Sequence, residues 1–296
     1  MKNPIFTGVA TALITPFDKK GQVDYGKLAE LIDFQIEEGI NALVICGTTG
    51  EASTMTDEEH EDCITFAVKH TAGRVPVIAG AGSNDTTYAI NLARHACDVG
   101  ADALLMVTPY YNKATQNGLV RMYTEIADAV DKPIILYNVP SRTGVNIEPA
   151  TYRKLADHPN IAAIKEANGN LSKIVETVAL LDGKLDIYSG NDDQIVPLLS
   201  MGGKGVISVL SNVMPKKTVE LCDRFFAGDV AGAAKLQCEL LPLINALFCE
   251  VNPVPVKAAM AHMGFTENLL RSPLYPMEEA NEARLLACMR AQGLKV

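Results

Sequence analysis

No run of apolar residues in this chain approaches the ~18 that a membrane-spanning helix needs. A membrane span is therefore not expected. No block of basic residues occurs either: 26 Lys and Arg stand against 35 Asp and Glu, a net charge of −9. An acidic chain without a basic stripe is a poor fit to nucleic acid or to an anionic membrane surface. Small anionic substrates stay open, because one or two local cations suffice for them. The metal and phosphate signatures are missing: no HExxH, no CxxC, no Walker sequence, no GxGxxG turn and no GxSxG elbow. No metal ion and no organic cofactor is called for. Seven cysteines lie scattered at 46, 63, 97, 222, 238, 249 and 288. An odd number in apolar surroundings reads as reduced, buried thiols in a cytoplasmic protein. The first 17 residues are broken by Thr7, Thr11, Thr15 and Pro16 and lack a long apolar stretch with a small-residue cleavage site, so no secretory leader is expected.

What the chain does have is a repeating architecture. Its 296 residues are 48% apolar and 21% charged, close to globular averages. Eight short apolar runs recur at 8–17, 42–47, 75–82, 103–109, 133–140, 161–167, 186–191 and 205–211. Many are apolar at consecutive positions, as parallel strands buried on both faces must be. Amphipathic segments separate them at 24–38, 56–70, 85–99, 115–130, 171–181 and 215–226. The second opens Thr56-Asp57-Glu58-Glu59, an N-cap followed by carboxylates in the first turn. Eight strands alternating with helices predict an α/β fold, a (β/α)8 TIM barrel over residues 1–228. The runner-up is a doubly wound open sheet. Residues 229–296 exceed what one closing helix needs, and helices at 229–249, 254–263 and 277–293 predict an appended C-terminal helical segment.

Barrel chemistry sits at the C-terminal ends of strands. The second run ends Gly47-Thr48-Thr49-Gly50-Glu51, a tight turn offering backbone N–H groups and two hydroxyls to a carboxylate or phosphate. An ordinary turn with a helix cap would look the same. The fourth run ends Pro109-Tyr110-Tyr111-Asn112, and the fifth ends Tyr137-Asn138 before Ser141-Arg142-Thr143-Gly144. Any one of these tyrosines could be core rim; three phenols and one arginine around one mouth suggest a site. The sixth run, Ile161-Ala162-Ala163-Ile164-Lys165-Glu166-Ala167, carries the sharpest signal. The bland reading pairs Lys165 with Glu166, but neighbours on a strand point to opposite faces. A Lys165 facing the barrel interior is desolvated, loses basicity and becomes an amine nucleophile for a carbonyl. The histidines at 60, 70, 95, 158 and 262 show no ligand spacing and mostly look like helix-surface residues. Gly202-Gly203-Lys204-Gly205 reads as a tight turn rather than a phosphate site.

With these motifs in place, the whole chain resembles the dihydrodipicolinate synthase family, within the pyruvate-dependent class I aldolases that include N-acetylneuraminate lyase. The Thr48-Thr49 turn, Tyr137-Asn138-Val139-Pro140, Ile164-Lys165-Glu166-Ala167 and Asn252-Pro253-Val254-Pro255-Val256-Lys257 carry the likeness. Tyr110-Tyr111-Asn112-Lys113 and Ser141-Arg142-Thr143-Gly144 are more particular to the synthases. The resemblance implies condensation of pyruvate with aspartate semialdehyde on a lysine imine, with no further cofactor. It implies Lys165 as the imine former, Tyr137 as proton-transfer phenol, Thr48 as its hydrogen-bond partner, and Tyr111 as a relay residue reaching into a neighbouring subunit. It further implies Thr49 on the pyruvate carboxylate, Arg142 on the semialdehyde carboxylate, and Gly190 and Ile207 lining the pocket. A homotetramer, a dimer of dimers, follows from the same likeness. Two alternatives stand beside it: a lysine-imine aldolase for 2-keto-3-deoxy sugar acids or sialic acid, and a barrel that only binds keto acids.

One departure bears on regulation. In members of the family inhibited by L-lysine, an inter-subunit site uses a Ser-Ala pair, two histidines, an asparagine, a glutamate and a tyrosine. Here His60, Asn84 and Tyr110 match, whereas Ala52-Ser53 is reversed, Asp57 replaces a histidine and Tyr88 replaces the glutamate. Weak or absent inhibition by L-lysine is the expectation, since the ligand ammonium loses its charged partner.

Overall fold

The computed structural model describes residues 3–296. Eight parallel strands close into a barrel in chain order. They are β1 (Gly8–Ala12), β2 (Ala42–Ile45), β3 (Val77–Gly80), β4 (Ala103–Val107), β5 (Ile134–Asn138), β6 (Ile161–Glu166), β7 (Asp186–Ser189) and β8 (Gly205–Ser208). Each of the eight apolar runs contains one strand, shorter than the run because the run's end becomes the loop above the barrel. Two apolar clusters match the two faces of the sheet. Val9, Leu43, Leu104, Leu136, Ile164 and Val206 point outward under the helices. Ala10, Val44, Ile78, Leu105, Ile135, Ala163, Tyr188 and Ile207 fill the interior. Ala10, Ala12, Ala42, Ala103 and Ala163 alternate in this layer with the larger side chains, as a filled barrel interior needs.

The period of two then places the site. Ala163 is interior and Ile164 exterior, so Lys165 points in and Glu166 points out. Register pairs Ile135 with Ala163 and Tyr137 with Lys165, so phenol and amine are cross-strand neighbours on the inner face.

The outer layer comprises α1 (Tyr25–Glu37), α2 (Asp57–Thr71), α3 (Thr86–Asp98), α4 (Gln116–Asp128), α5 (Pro140–Thr143), α6 (Pro149–Leu155), α7 (Leu171–Leu181), α8 (Ile195–Leu199) and α9 (Pro215–Phe226). Side chains of Asp24, Thr56, Asp85, Thr115 and Asn170 cap five of them. The Thr56 cap is a reciprocal capping box with Glu59, as its sequence suggested. Helices α5, α6 and α8 were not expected: at four to seven residues they are too short to develop a periodic stripe. Past the barrel, α10 (Val230–Leu247), α11 (Val254–His262) and α12 (Glu279–Ala291) form where three helices were expected. The first seven residues of α11 are all buried. No helix among the described residues is long and apolar enough to cross a membrane.

Two expectations need correction. Only Cys46, Cys63 and Cys222 are buried; Cys97, Cys249 and Cys288 are half-buried and Cys238 is exposed, although all seven are free as expected. His60 is not a surface residue: it is buried, with Nε2 2.7 Å from the Gly80 carbonyl oxygen. Its place on the inner stripe of α2, beside Cys63, Ile64 and Ala67, is the physical reason. Gly202-Gly203 makes the expected turn: Lys204 N–H donates to Ile187 O at the bottom of the barrel, away from the mouth.

Candidate active site

At the C-terminal mouth lies a cavity of about 170 Å³ whose wall includes Thr48, Thr49, Tyr137, Arg142, Lys165 and Gly190. These residues come from the ends of four strands, β2, β5, β6 and β7, so only barrel closure brings them together. Lys165 is 6% exposed, and its Nζ sits 4.1 Å above the Tyr137 ring centroid. No carboxylate pairs with it among the described residues. Burial pulls its pKa from 10.5 to about 7, Arg142 adds to the fall, and the charge of Asp192 opposes it. A substantial fraction of the amine is therefore neutral near pH 7, the form that attacks a carbonyl.

Tyr137 is buried, and burial raises its pKa, so the phenol keeps its proton. Arg142 and the Thr48 side chain offset part of that rise. Thr48 itself is exposed at the cavity wall, while Thr49 is buried. The Thr49 hydroxyl oxygen accepts from Asn252 Nδ2 at 2.9 Å. Arg142 sits on α5 with a guanidinium nitrogen 3.1 Å from the main-chain oxygen of Asn252. Gly190 is a steric requirement: a Cβ there would lie 2.7 Å from the Ala167 Cβ, and its N–H donates to Glu166 O at 2.7 Å.

Two residues of the expected site are not in the wall of this cavity. Ile207 is buried in the interior layer below, and Val209, two residues on, forms the cavity wall instead. Tyr111 is 91% exposed and lies outside its own chain's cavity. It holds a left-handed φ of 70° in a loop braced by Asn84 and Asn112, whose side-chain amides donate to Tyr110 O and Asn84 O.

Three supporting groups have partners that no sequence pattern announced. Asp192, buried after β7, accepts from the N–H groups of Val209 and Leu210 at 2.9 Å each and so ties the end of β7 to the end of β8. Glu166 faces outward, bonded by Asn138, Tyr152 and the Asn168 N–H, and burial lifts its pKa to about 7. Glu51, at the end of the threonine turn, forms a buried ion pair with Lys257 on α11 at 2.5 Å. Glu51 and Lys257 are 206 residues apart, so no local pattern could have joined them.

A closed eight-stranded barrel with an unpaired lysine beside a phenol at the end of β6 defines a barrel with the equipment of an amine-nucleophile enzyme. Residues 5–292 match the dihydrodipicolinate synthetase family, and the chain belongs to it. It is 55% identical over 291 residues to the 4-hydroxy-tetrahydrodipicolinate synthase of Lachnoclostridium phytofermentans, covering 98% of this chain and 99% of that one. The crystal structure of dihydrodipicolinate synthase from Thermotoga maritima superposes with a TM-score of 0.96 at 44% identity, covering 98% of this chain and all of that one. The chloride-inhibited synthase from Acinetobacter baumannii, solved with pyruvate, gives a TM-score of 0.95 at 43% identity, over 97% of this chain and 99% of that one.

Proposed function

We propose that the protein condenses pyruvate with L-aspartate 4-semialdehyde to 4-hydroxy-tetrahydrodipicolinate, the first committed step of diaminopimelate and lysine biosynthesis. The observation that carries this reading is Lys165, buried without a carboxylate partner and 4.1 Å above the Tyr137 ring. Its neutral amine attacks the pyruvate carbonyl carbon and water leaves. The iminium nitrogen then draws in the electrons released when the methyl group loses a proton. The enamine so formed attacks the aldehyde carbon, making the new C–C bond. The amine of the semialdehyde adds to the imine carbon, closes the ring and expels Lys165. Tyr137, with Thr48 beside it, gives and takes the protons these steps need. Thr49 binds the pyruvate carboxylate and Arg142 that of the semialdehyde, a charge-assisted contact that a sugar-acid aldolase has no general need for. Gly190 gives the substrate room, and Ile207 supports the pocket from below. The lysine iminium is itself the electron sink, so the chemistry asks for no organic cofactor.

In this reading residues 1–228 are the catalytic barrel and residues 229–296 a helical region that braces it. The active form is a homotetramer, a dimer of dimers, in which Tyr111 completes the relay of a neighbouring subunit. The exposure of Tyr111 in a braced loop supports that role. The cytoplasm, which keeps thiols reduced, suits seven free cysteines.

The test is turnover. Pyruvate with aspartate semialdehyde should react, and 2-keto-3-deoxy sugar acids and sialic acid should not; the reverse result removes the proposal. For assembly, Tyr111→Phe and Lys165→Ala proteins, each inactive alone, should regain activity after mixing and subunit exchange. A fully active monomer in sedimentation would contradict the tetramer.

A further inference from the structure

The threonine turn is not held by the barrel alone. Its Glu51 end is clamped by Lys257, and Glu51 Oε2 also accepts from the Arg271 N–H at 3.0 Å. Asn252, at the threshold of α11, reaches the chemistry itself. It is 5% exposed and forms part of the cavity wall. Its Nδ2 donates to Thr49 Oγ1, and its main-chain oxygen accepts from Arg142. Its Oδ1 is buried and has no hydrogen-bond partner among the described residues. Asn252 thus directs its side-chain bonding to Thr49 and leaves an acceptor unsatisfied, an arrangement that calls for a functional reason.

The hydroxyl chemistry supplies one. A threonine hydroxyl has a single hydrogen and two acceptor positions. With one acceptor position occupied by the Asn252 N–H, the Thr49 hydrogen cannot be spent on Asn252. It stays available as a donor, the polarity a carboxylate requires. We infer that Asn252 is a positioning residue that couples the two carboxylate sites. It orients the Thr49 hydroxyl as a donor toward the first substrate's carboxylate, and it holds Arg142 in place for the second's. The inference rests on the proposed roles of Thr49 and Arg142, and it makes the helical region after the barrel a part of substrate recognition.

The experiment is steady-state kinetics on Asn252→Ala and Asn252→Asp, with Thr49→Val and the Thr49→Val/Asn252→Ala pair. Asn252→Ala should raise KM for pyruvate on the order of tenfold, the usual scale for one lost polar contact, with kcat changed less, and should raise KM for the semialdehyde by a smaller factor, because the main-chain oxygen that meets Arg142 is kept. Asn252→Asp should be worse for pyruvate than Asn252→Ala. Its carboxylate accepts the Thr49 hydrogen, reverses the hydroxyl and repels the substrate anion. Adding Asn252→Ala to Thr49→Val should raise the pyruvate KM no further than Thr49→Val alone. An Asn252→Asp protein with unchanged pyruvate KM, or additive losses in the pair, overturns the inference. Should Asn252→Ala fail to fold, the near-isosteric Asn252→Asp decides alone. Borohydride trapping of pyruvate on Lys165 in the unaltered protein is the control: if that label is missing, the proposed function fails rather than the role of Asn252.

Discussion

Lys165 and Lys257 are both buried, at 6% and 0% exposure, and the fold treats them in opposite ways. Lys257 meets Glu51 at 2.5 Å, lies 3.8 Å from the Phe17 ring centroid, and has its charge matched on the spot. Burial lowers its pKa to about 8, with Glu51 pulling the other way by charge and by hydrogen bond and Arg271 adding to the fall. Lys165 has an aromatic neighbour too, yet its opposing charge, Asp192, makes no ion pair with it and turns one oxygen to two backbone N–H groups. The difference teaches that burial alone does not make a nucleophile. A buried amine becomes reactive when the structure withholds the hydrogen-bonded carboxylate that would hold its proton. Lys257 joins the helical region to the barrel; Lys165 is left available for chemistry.

The largest effect should come from exchanging the fates of the two lysines. Lys165→Ala should lose activity by on the order of 10⁴-fold or more, as removal of a covalent nucleophile does. Mass spectrometry after borohydride reduction with pyruvate should place the label on Lys165 and leave Lys257 unmarked. Trapping at low, subsaturating pyruvate should speed up as pH rises through about 7, because the neutral amine then accumulates. A label on Lys257, or a rate flat across that window, breaks the contrast.

The phenol beside Lys165 comes next. Tyr137→Phe keeps the ring that lies under the amine but removes the proton carrier. Rate should fall about 100-fold or more while pyruvate still binds. A wild-type rate would deprive Tyr137 of its role.

Stability sharpens the same comparison. Lys257→Met strands a buried carboxylate and should cost about 3–5 kcal/mol, with much of it regained in Lys257→Met/Glu51→Gln. Lys165→Met should instead stabilise, by about 1–4 kcal/mol. Here the folded pKa, about 7, lies below the ordinary 10.5. The unfolded chain therefore binds more protons between those values, and wild-type stability rises with pH across them. The gain from Lys165→Met is full below about pH 7 and fades toward 10.5. Thermal unfolding at pH 6 and pH 9 measures it, and destabilisation by Lys165→Met at pH 6 would contradict the account.

The smallest response should be to L-lysine. Beside the active site a second cavity of about 360 Å³ is lined by Ser53, His60, Tyr88 and Tyr110. Burial and a hydrogen bond to Asp57 raise the Tyr88 pKa to about 12, so it carries no charge at neutral pH. Asp57 already accepts that hydroxyl at 2.8 Å, and His60 is turned to Gly80. Half-inhibition should need more than about 1 mM L-lysine, an affinity near −4 kcal/mol. Tyr88→Glu should increase sensitivity. Strong inhibition of the unaltered protein at micromolar L-lysine would mean Asp57 supplies the missing charge.

The sequence by itself determined the barrel and the direction in which its chemistry faces. Eight apolar runs alternating with amphipathic helices leave parallel strands that must be covered on both sides, and a period of two sends Lys165 and Glu166 to opposite faces whatever the loops do. The strand ends pointed to Tyr137, Thr49 and Arg142, and motif likeness added their roles without their geometry. Only the tertiary structure decided what each buried charge meets. The Lys257–Glu51 pair, the Asn252 contact with Thr49 and the anchoring of Asp192 span 206, 203 and 17 residues. Hydrogen bonds and ion pairs form between whatever groups chain closure brings within about 3 Å, and local residue pattern carries no record of that distance. Lys165 and Lys257 both look like lysines set in apolar sequence; which one is held in an ion pair was settled by which one found a carboxylate in space.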